Sequence, residues 1–491
     1  MAGERYDVVV VGAGLGGASC AGLLAKRGLR VLLVDKNTRP GGKAMSLSKN
    51  GFTYTAWVVI GAPVIDNRYE QVLRELGVEN EVELVVPGTQ ASLYRQPSGT
   101  FTRLPSMPIG QTDPNVVFDW LQIESADREK AMMFFAELMA MAPERIATLH
   151  GISFHAWASQ HALPKQLYAF LVSQCCDGMF MVPADCLEAA EAIRSLQDVF
   201  LRHGGVFCRG GFGRLAEAYC EGVRRHGGTV RLGTRVERIA VRNGRVTGIV
   251  TADGEVDAPI VVSNAGLQPT VLRLVGEAHF DQGYLNYVRD LVPSWSLLGY
   301  RYFLSESVTD APYGVVFSDD SPWSLERFDQ ARAGKASREG VVYFEVPANY
   351  DPDAAPAGKQ MLMTGSFCPP SPDLSREEIA AWAQAGERML FQAFPKLESV
   401  IEDKELYTPR DVSNLTRESA VPGAGGETIG LAQIVGQCGP GKPSIKAPVG
   451  GLFFVGCDAG GTGIGTQQAV ESGINVADAV ARYHHTRRAT P

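Results

Sequence analysis

Tyr6–Val11 (YDVVVV) is a short apolar, β-branched run, the pattern of a strand buried on both faces. Gly12-Ala13-Gly14-Leu15-Gly16-Gly17 follows at once, Ala18–Lys26 reads as a helix, and Arg27-Gly28 stops it. Leu29–Val34 is a second apolar strand, closed by Asp35. Further along, Gly210–Leu215 opens a helix with Leu215, Tyr219 and Val223 at helical spacing. Thr229–Leu232, Arg235–Val241 and Arg245–Thr251 read as strands, the last two joined at the hairpin signal Asn243-Gly244. Ile260–Ser263 runs into Asn264-Ala265-Gly266. Gly451–Val455 (GLFFV) is another buried strand, leading through Gly456-Cys457-Asp458 and a glycine loop into a helix over 466–482. Between these pieces, Ser296–Leu304, Val341–Val346 and Met361–Phe367 suit an antiparallel sheet. Helices are predicted over Ala126–Met141 and Ser375–Phe394, the latter with Ser375 and Glu378 at capping-box spacing.

Composition narrows the function classes. The chain has 491 residues, 45% apolar and 20% charged, enough for two or three domain-sized units with real cores. A net charge of −8 argues against a nucleic-acid partner. Nine cysteines without a Cys-x-x-Cys pair argue against a disulfide framework or zinc knuckle, and eight histidines without helical His-x-x-x-His spacing argue against a metal site. No basic and apolar leader precedes the first strand, and the longest uncharged runs, Phe52–Ile65 and Thr428–Gly441, fall short of a membrane span. The expected location is cytoplasmic, with peripheral membrane contact left open.

The N-terminal strand, glycine loop, helix, strand and acid form a dinucleotide fingerprint. Gly12 permits the tight turn, Gly14 lets a pyrophosphate approach the backbone, and Gly17 lets the helix pack against the sheet. The helix N-terminus favours phosphate charge, and Asp35, 18 residues after Gly17, can accept from the adenosine ribose hydroxyls. The C-terminal strand, glycine loop and helix form a second such junction. Its helix start presents a positive dipole end to any ligand held in that loop.

With Gly41-Gly42-Lys43 past the acid, then FCRGGFGRL (207–215), VRLGTRVERI (230–239), VVSNA (261–265) and GGLFFVGCD (450–458) in order, the chain resembles the phytoene (carotenoid) desaturase-like branch of the FAD-dependent amine-oxidase superfamily. The resemblance implies an α/β fold: a Rossmann-type FAD-binding domain built from three sequence segments (1–75, 205–275 and 440–491), plus an α+β substrate domain with antiparallel sheet (76–204 and 276–439). It implies non-covalent FAD. Gly12, Gly14, Leu15, Gly16, Gly17, Asp35 and Lys36 would face its ADP half, and Gly42 and Lys43 the pyrophosphate. Val236 would contact adenine through its backbone, and Asn264 and Gly456 would also be cofactor-binding. Asp458, Gly463, Ile464, Gly465 and Thr466 would lie at ribityl and isoalloxazine.

The implied activity is desaturation or saturation of C–C bonds in a hydrophobic, isoprenoid-like or cyclic small molecule, by hydride transfer with flavin N5. Electrons would pass to an external acceptor (O2, a quinone or another carrier). A flavin amine oxidase and a non-redox flavin-dependent isomerase are the alternatives on this scaffold. The loop at 460–462 reads Gly-Gly-Thr where carotenoid desaturases often carry His-Pro-Gly, which leaves the substrate open. Candidate catalytic residues are His155, Gln467 and Gln468. The Met132–Met141 stretch, Met179-Phe180-Met181 and the uncharged run 52–65 are read as core or as a wall around a bulky apolar ligand.

Overall fold

The structure is a computed structural model that describes residues 5–88, 90–333, 340–368, 371, 373–416 and 426–489. Two sheets organise it. The first has five strands in the order Leu452–Phe454, Val261–Ser263, Val8–Val11, Val31–Val34, Thr229–Arg231, all parallel. Its central strands are four-residue aliphatic runs, buried throughout. Strands adjacent in space thus come from three stretches of chain that are far apart in sequence. The Asn243-Gly244 turn is a hairpin as expected, with both residues at positive φ, joining Val236–Arg242 to Arg245–Thr251.

Helix Leu15–Lys26 packs against the C-terminal helix Gly465–Ala489 at very short range. A Cβ on Gly16 would lie 2.9 Å from the Ala469 carbonyl oxygen, and one on Gly473 would lie 2.0 Å from Ser19 Oγ. Glycine is required at Gly473 by this approach alone, since its φ is ordinary.

The second sheet has seven strands in the order Ile401–Tyr407, Ser296–Leu304, Gln360–Cys368, Val342–Glu345, Tyr313–Ser318, Ala91–Arg95, Phe101–Arg103. The expectation of an antiparallel sheet needs correcting: Ala91–Arg95 runs parallel to Tyr313–Ser318, so the sheet is mixed. The chain covers more than 200 residues between these two strands, room enough for the crossover that parallel pairing needs. Four of its strands are buried along their whole length. One face packs under helix Arg376–Ala393, whose capping box forms between Ser375 and Glu378.

Helix Ser125–Ala140 resolves the two readings of the Met/Phe-rich stretch. Phe134, Phe135 and Leu138 are core, with Phe135 5.5 Å from Phe200, while Met133 points to solvent. None of Met132, Met133, Phe134, Phe135, Met139 or Met141 lines the cavity described next. Among the described residues, no helix is long and apolar enough to cross a membrane, and no group of His, Cys, Asp or Glu could hold a metal ion.

Candidate active site

A single cavity of about 750 Å³ runs from the two glycine junctions to the inner face of the seven-stranded sheet. At its first end, the Gly12 N–H donates to the Val34 carbonyl, and Gly12 takes φ +100°. A Cβ on Gly17 would stand 2.0 Å from the Gly12 carbonyl oxygen, and one on Gly14 would stand 2.8 Å from Asn264 Nδ2. Any side chain there would fill the turn. Asp35 is buried at the strand end. Its two carboxylate oxygens accept from the backbone N–H groups of Ala13 and Asn37, each at 2.7 Å. The acid therefore shapes the loop as well as facing the cavity.

Gly12, Gly14, Leu15, Gly16, Asp35, Lys36, Gly42, Lys43 and Val236 all line this cavity, while Gly17 lies behind it in the helix–strand contact. Two cations that the sequence did not signal join them: Arg235 and Arg273. Burial, then repulsion from Arg235, pushes the Lys36 ammonium down to about 8. Arg235 precedes Val236 at the start of its strand, and Arg273 lies in a stretch with no motif.

The second junction meets the first through Asn264. Its Nδ2 donates to the Gly12 carbonyl at 3.4 Å, and a Cβ on Gly456 would lie 2.7 Å from its Oδ1. Asn264, Gly456, Asp458, Gly463, Ile464, Gly465 and Thr466 line the cavity, and the C-terminal helix begins at Gly465. Thr466 Oγ1 is 2.7 Å from the Tyr69 hydroxyl. Asp458 accepts from the Leu267 N–H at 2.7 Å and the Leu431 N–H at 3.0 Å.

A segment crossing the cavity, residues 427–433, ties these parts together. Lys43 Nζ donates to the carbonyls of Thr428 (2.7 Å) and Ile429 (2.8 Å) and lies 3.5 Å from the buried Glu427 carboxylate. Gln433 Nε2 donates to the Gly463 carbonyl at 2.6 Å. Lys43 thus spans from the Gly41-Gly42 turn to this strap, a role that spacing along the chain does not reveal.

The far wall is apolar over much of its area. Trp57, Val58, Val59 and Ile60 come from the uncharged run, Met179 from the π-helical stretch Ser173–Phe180 and Met181 from just past its end, and Leu297 and Val315 from the sheet. Phe180 is buried away from it. The Trp57–Ile60 wall is held from behind by Arg301, which donates to the Ala56 carbonyl, and by Glu345, which accepts the Val59 N–H at 3.0 Å.

The candidate catalytic residues separate. His155 is on the exposed face of the short helix Phe154–Ala158, with Nδ1 2.7 Å from the Tyr168 hydroxyl, and does not reach the cavity. Its neighbours Phe154 and Trp157 take the inward positions. Gln467 lines the cavity, with Oε1 accepting the Arg68 N–H at the start of helix Arg68–Leu76. Gln468 is buried outside it.

Residues 15–282 match the family of flavin containing amine oxidoreductases, and the chain belongs to that family. It is a flavin-dependent oxidoreductase related to phytoene desaturases. Among similar proteins, the zeta-carotene-forming phytoene desaturase of Myxococcus xanthus is 27% identical over 94% of this chain and 91% of its own length. The chloroplastic prolycopene isomerase of Arabidopsis thaliana is 24% identical over 97% of this chain and 80% of its own. In fold, wild-type putrescine oxidase bound to putrescine aligns with a TM-score of 0.69 at 16% identity, covering 97% of this chain and 98% of that one.

Proposed function

We propose that the protein is an FAD-dependent oxidoreductase that desaturates or saturates C–C bonds of a hydrophobic small molecule, with the FAD held non-covalently. One observation carries this reading: the same cavity joins a dinucleotide cradle to an apolar wall. The cradle fits the cofactor. Gly12 and Gly14 keep its floor clear of side chains and Gly17 keeps the turn behind it tight, Asp35 would face the ribose, and Lys36, Arg235 and Arg273 would offset pyrophosphate charge. The Gly465 helix start and Asp458 would hold the ribityl and isoalloxazine end.

FAD, when bound, supplies a two-electron acceptor or donor for hydride chemistry. The chain's own part is position, field and exclusion of water. Among the described residues lining the cavity there is no histidine, and the Tyr343 hydroxyl is engaged by the Ser173 carbonyl. The wall of Trp57–Ile60, Met179, Met181 and Leu297 orients an apolar body. Asp198, the carboxylate at the polar corner of the lining, is held by Arg202, so the apolar end relies on position rather than acid–base chemistry, which suits an activated C–H.

An exposed apolar patch supports the reading that the protein touches lipid. Ile65, Ile109 and Leu201 are exposed, and a Cβ on Gly110 would touch both Ile65 Cδ1 (3.4 Å) and the Leu201 carbonyl (3.3 Å). This patch adjoins Ala62, Val199 and Gly204 of the cavity lining, so it suits delivery of an apolar substrate from a bilayer.

The test is anaerobic addition of candidate substrates to yellow holoprotein, followed by a quinone or O2. Bleaching by polyenes or enones, with colour restored by the acceptor, is the expected result. Bleaching by amines alone would make the protein an amine oxidase, and product formation without bleaching would make it an isomerase.

A further inference from the structure

We propose that the substrate carries a neutral hydroxyl group and that Gln90, Ser92 and Gln174 recognise it; this deepens the proposed reading of the cavity and rests on it. The inner face of the seven-stranded sheet changes polarity from one side to the other. At strand Ser296–Leu304 the wall is Leu297, packed with Val58 over Gly365, where a Cβ would lie 3.2 Å from Leu297 and 3.4 Å from Val58. Two strands further, Tyr343 pairs with Val315. Beyond that, Ser92 pairs with Val315 from the other side, and Gln90, two residues earlier, shares its face. Apolar lining thus gives way to hydroxyl and amide at one corner.

This corner has spare hydrogen-bonding capacity of a particular kind. Gln174 Nε2 donates to Ser92 Oγ at 3.3 Å, which leaves Gln174 Oε1 without a donor among the described residues. The Tyr313 hydroxyl lies 2.9 Å from Gln90 Oε1 and 3.0 Å from the Gly204 carbonyl oxygen. One proton cannot serve both oxygens fully, and Gln90 Nε2 donates to no protein group among the described residues. The corner therefore offers an amide N–H donor and an amide oxygen acceptor, both uncharged.

An alcohol matches both, because its oxygen accepts and its proton donates. A carbonyl satisfies only the donor, and a pure hydrocarbon leaves both amides desolvated and unpaired. Asp198 is the charged group of this part of the lining, and Arg202 holds it at 2.8 Å, so neither a carboxylate nor an ammonium finds a free counter-ion there.

The experiment is calorimetric titration of holoprotein with a C20 isoprenoid alcohol, its aldehyde and the hydrocarbon of the same skeleton, all delivered from one detergent. The alcohol should bind about 10–100-fold more tightly than the hydrocarbon. In Gln90→Leu/Gln174→Leu the preference should fall to about threefold or less, with hydrocarbon affinity kept or improved. Gln90→Met/Gln174→Met, closer in shape, serves if the first pair does not fold. Equal affinities in the wild type, a stronger aldehyde, a preference that survives both double variants, or no binding of any of the three would overturn the proposal. Flavin absorbance of the same samples reads the cofactor separately: colourless protein that still prefers the alcohol would fail the flavoenzyme reading and not this one.

Discussion

Asp35 is the sharpest place to test the cradle, because its carboxylate serves two masters. Asp35→Ala removes the acceptor from the Ala13 and Asn37 N–H groups, both 2.7 Å away and both at a buried position. Each bond to an ionised acceptor is worth about 1.5–3 kcal/mol, giving about 3–6 kcal/mol together. The site borders the cavity, so water entering the vacated space returns part of this, and a loss near about 3 kcal/mol is expected. The backbone anchors remain, since Asp35 N–H still donates to the Arg231 carbonyl and its carbonyl still accepts from Thr234. Asp35→Asn keeps one acceptor and turns a donor toward the other N–H, so it should lose at least half as much. Urea unfolding of protein stripped of flavin isolates this structural share. The further drop in the holoprotein, expected at about 1–3 kcal/mol, tests the proposed ribose contact. If stripped Asp35→Ala unfolds at the same urea concentration as stripped wild type, the claim that this acid builds the loop is wrong.

Three other outcomes follow from the geometry. Burial pushes the Glu345 carboxyl up to about 7, against partial relief from Tyr350 and the Val59 N–H, so the native state holds this proton more tightly than the unfolded chain. Its contribution is full below about pH 4.5 and is lost as pH rises through about 7; Glu345→Gln should flatten wild-type stability loss by up to about 3 kcal/mol between pH 4.5 and 8, and parallel pH profiles of the two proteins would refute it. Gly463 lies in the loop before the C-terminal helix at φ +73° with open space around its Cβ position, so Asn and Asp are both sterically admissible; relative to Gly463→Asn, Gly463→Asp should lower the flavin midpoint by about 10–20 mV, and an unmoved or raised midpoint would remove that helix end from the redox site. Protein should co-sediment with neutral phosphatidylcholine vesicles at both low and high salt and lose this in Ile65→Asp/Leu201→Glu; protein left in the supernatant under both conditions would sink the lipid-contact reading.

What was legible in the sequence was whatever the backbone dictates locally. The glycines of both junctions, Asp35 and the aliphatic strands announce themselves, because a turn that admits no Cβ restricts the residue at that very position. The Ser375 capping box and the Asn243-Gly244 turn are of the same kind. The far wall was not legible. Gln90, Ser92, Tyr313 and Tyr343 meet only because two strands over 200 residues apart pair in parallel, and no local pattern encodes that. His155 looked chemical by residue type, yet helix phase turns it outward while Trp157 turns in. Lys43 was expected near the pyrophosphate; its binding of the Thr428 and Ile429 carbonyls depends on a strap some 385 positions later.

The order of strands in the parallel sheet bears on how the chain must be made. Val8–Val11 emerges first, yet one of its neighbours waits for residue 261, and the edge strand beyond it for residue 452. The surface of helix Leu15–Lys26 that Gly473 presses against stays bare until nearly five hundred residues have left the ribosome. For most of synthesis the first strand therefore has one aliphatic edge without its partner, a surface open to mispairing. The same logic makes the last thirty described residues the most sensitive place for a truncation or a fused tag: a cut there removes the cover of the first strand-and-helix unit, at the opposite end of the sequence.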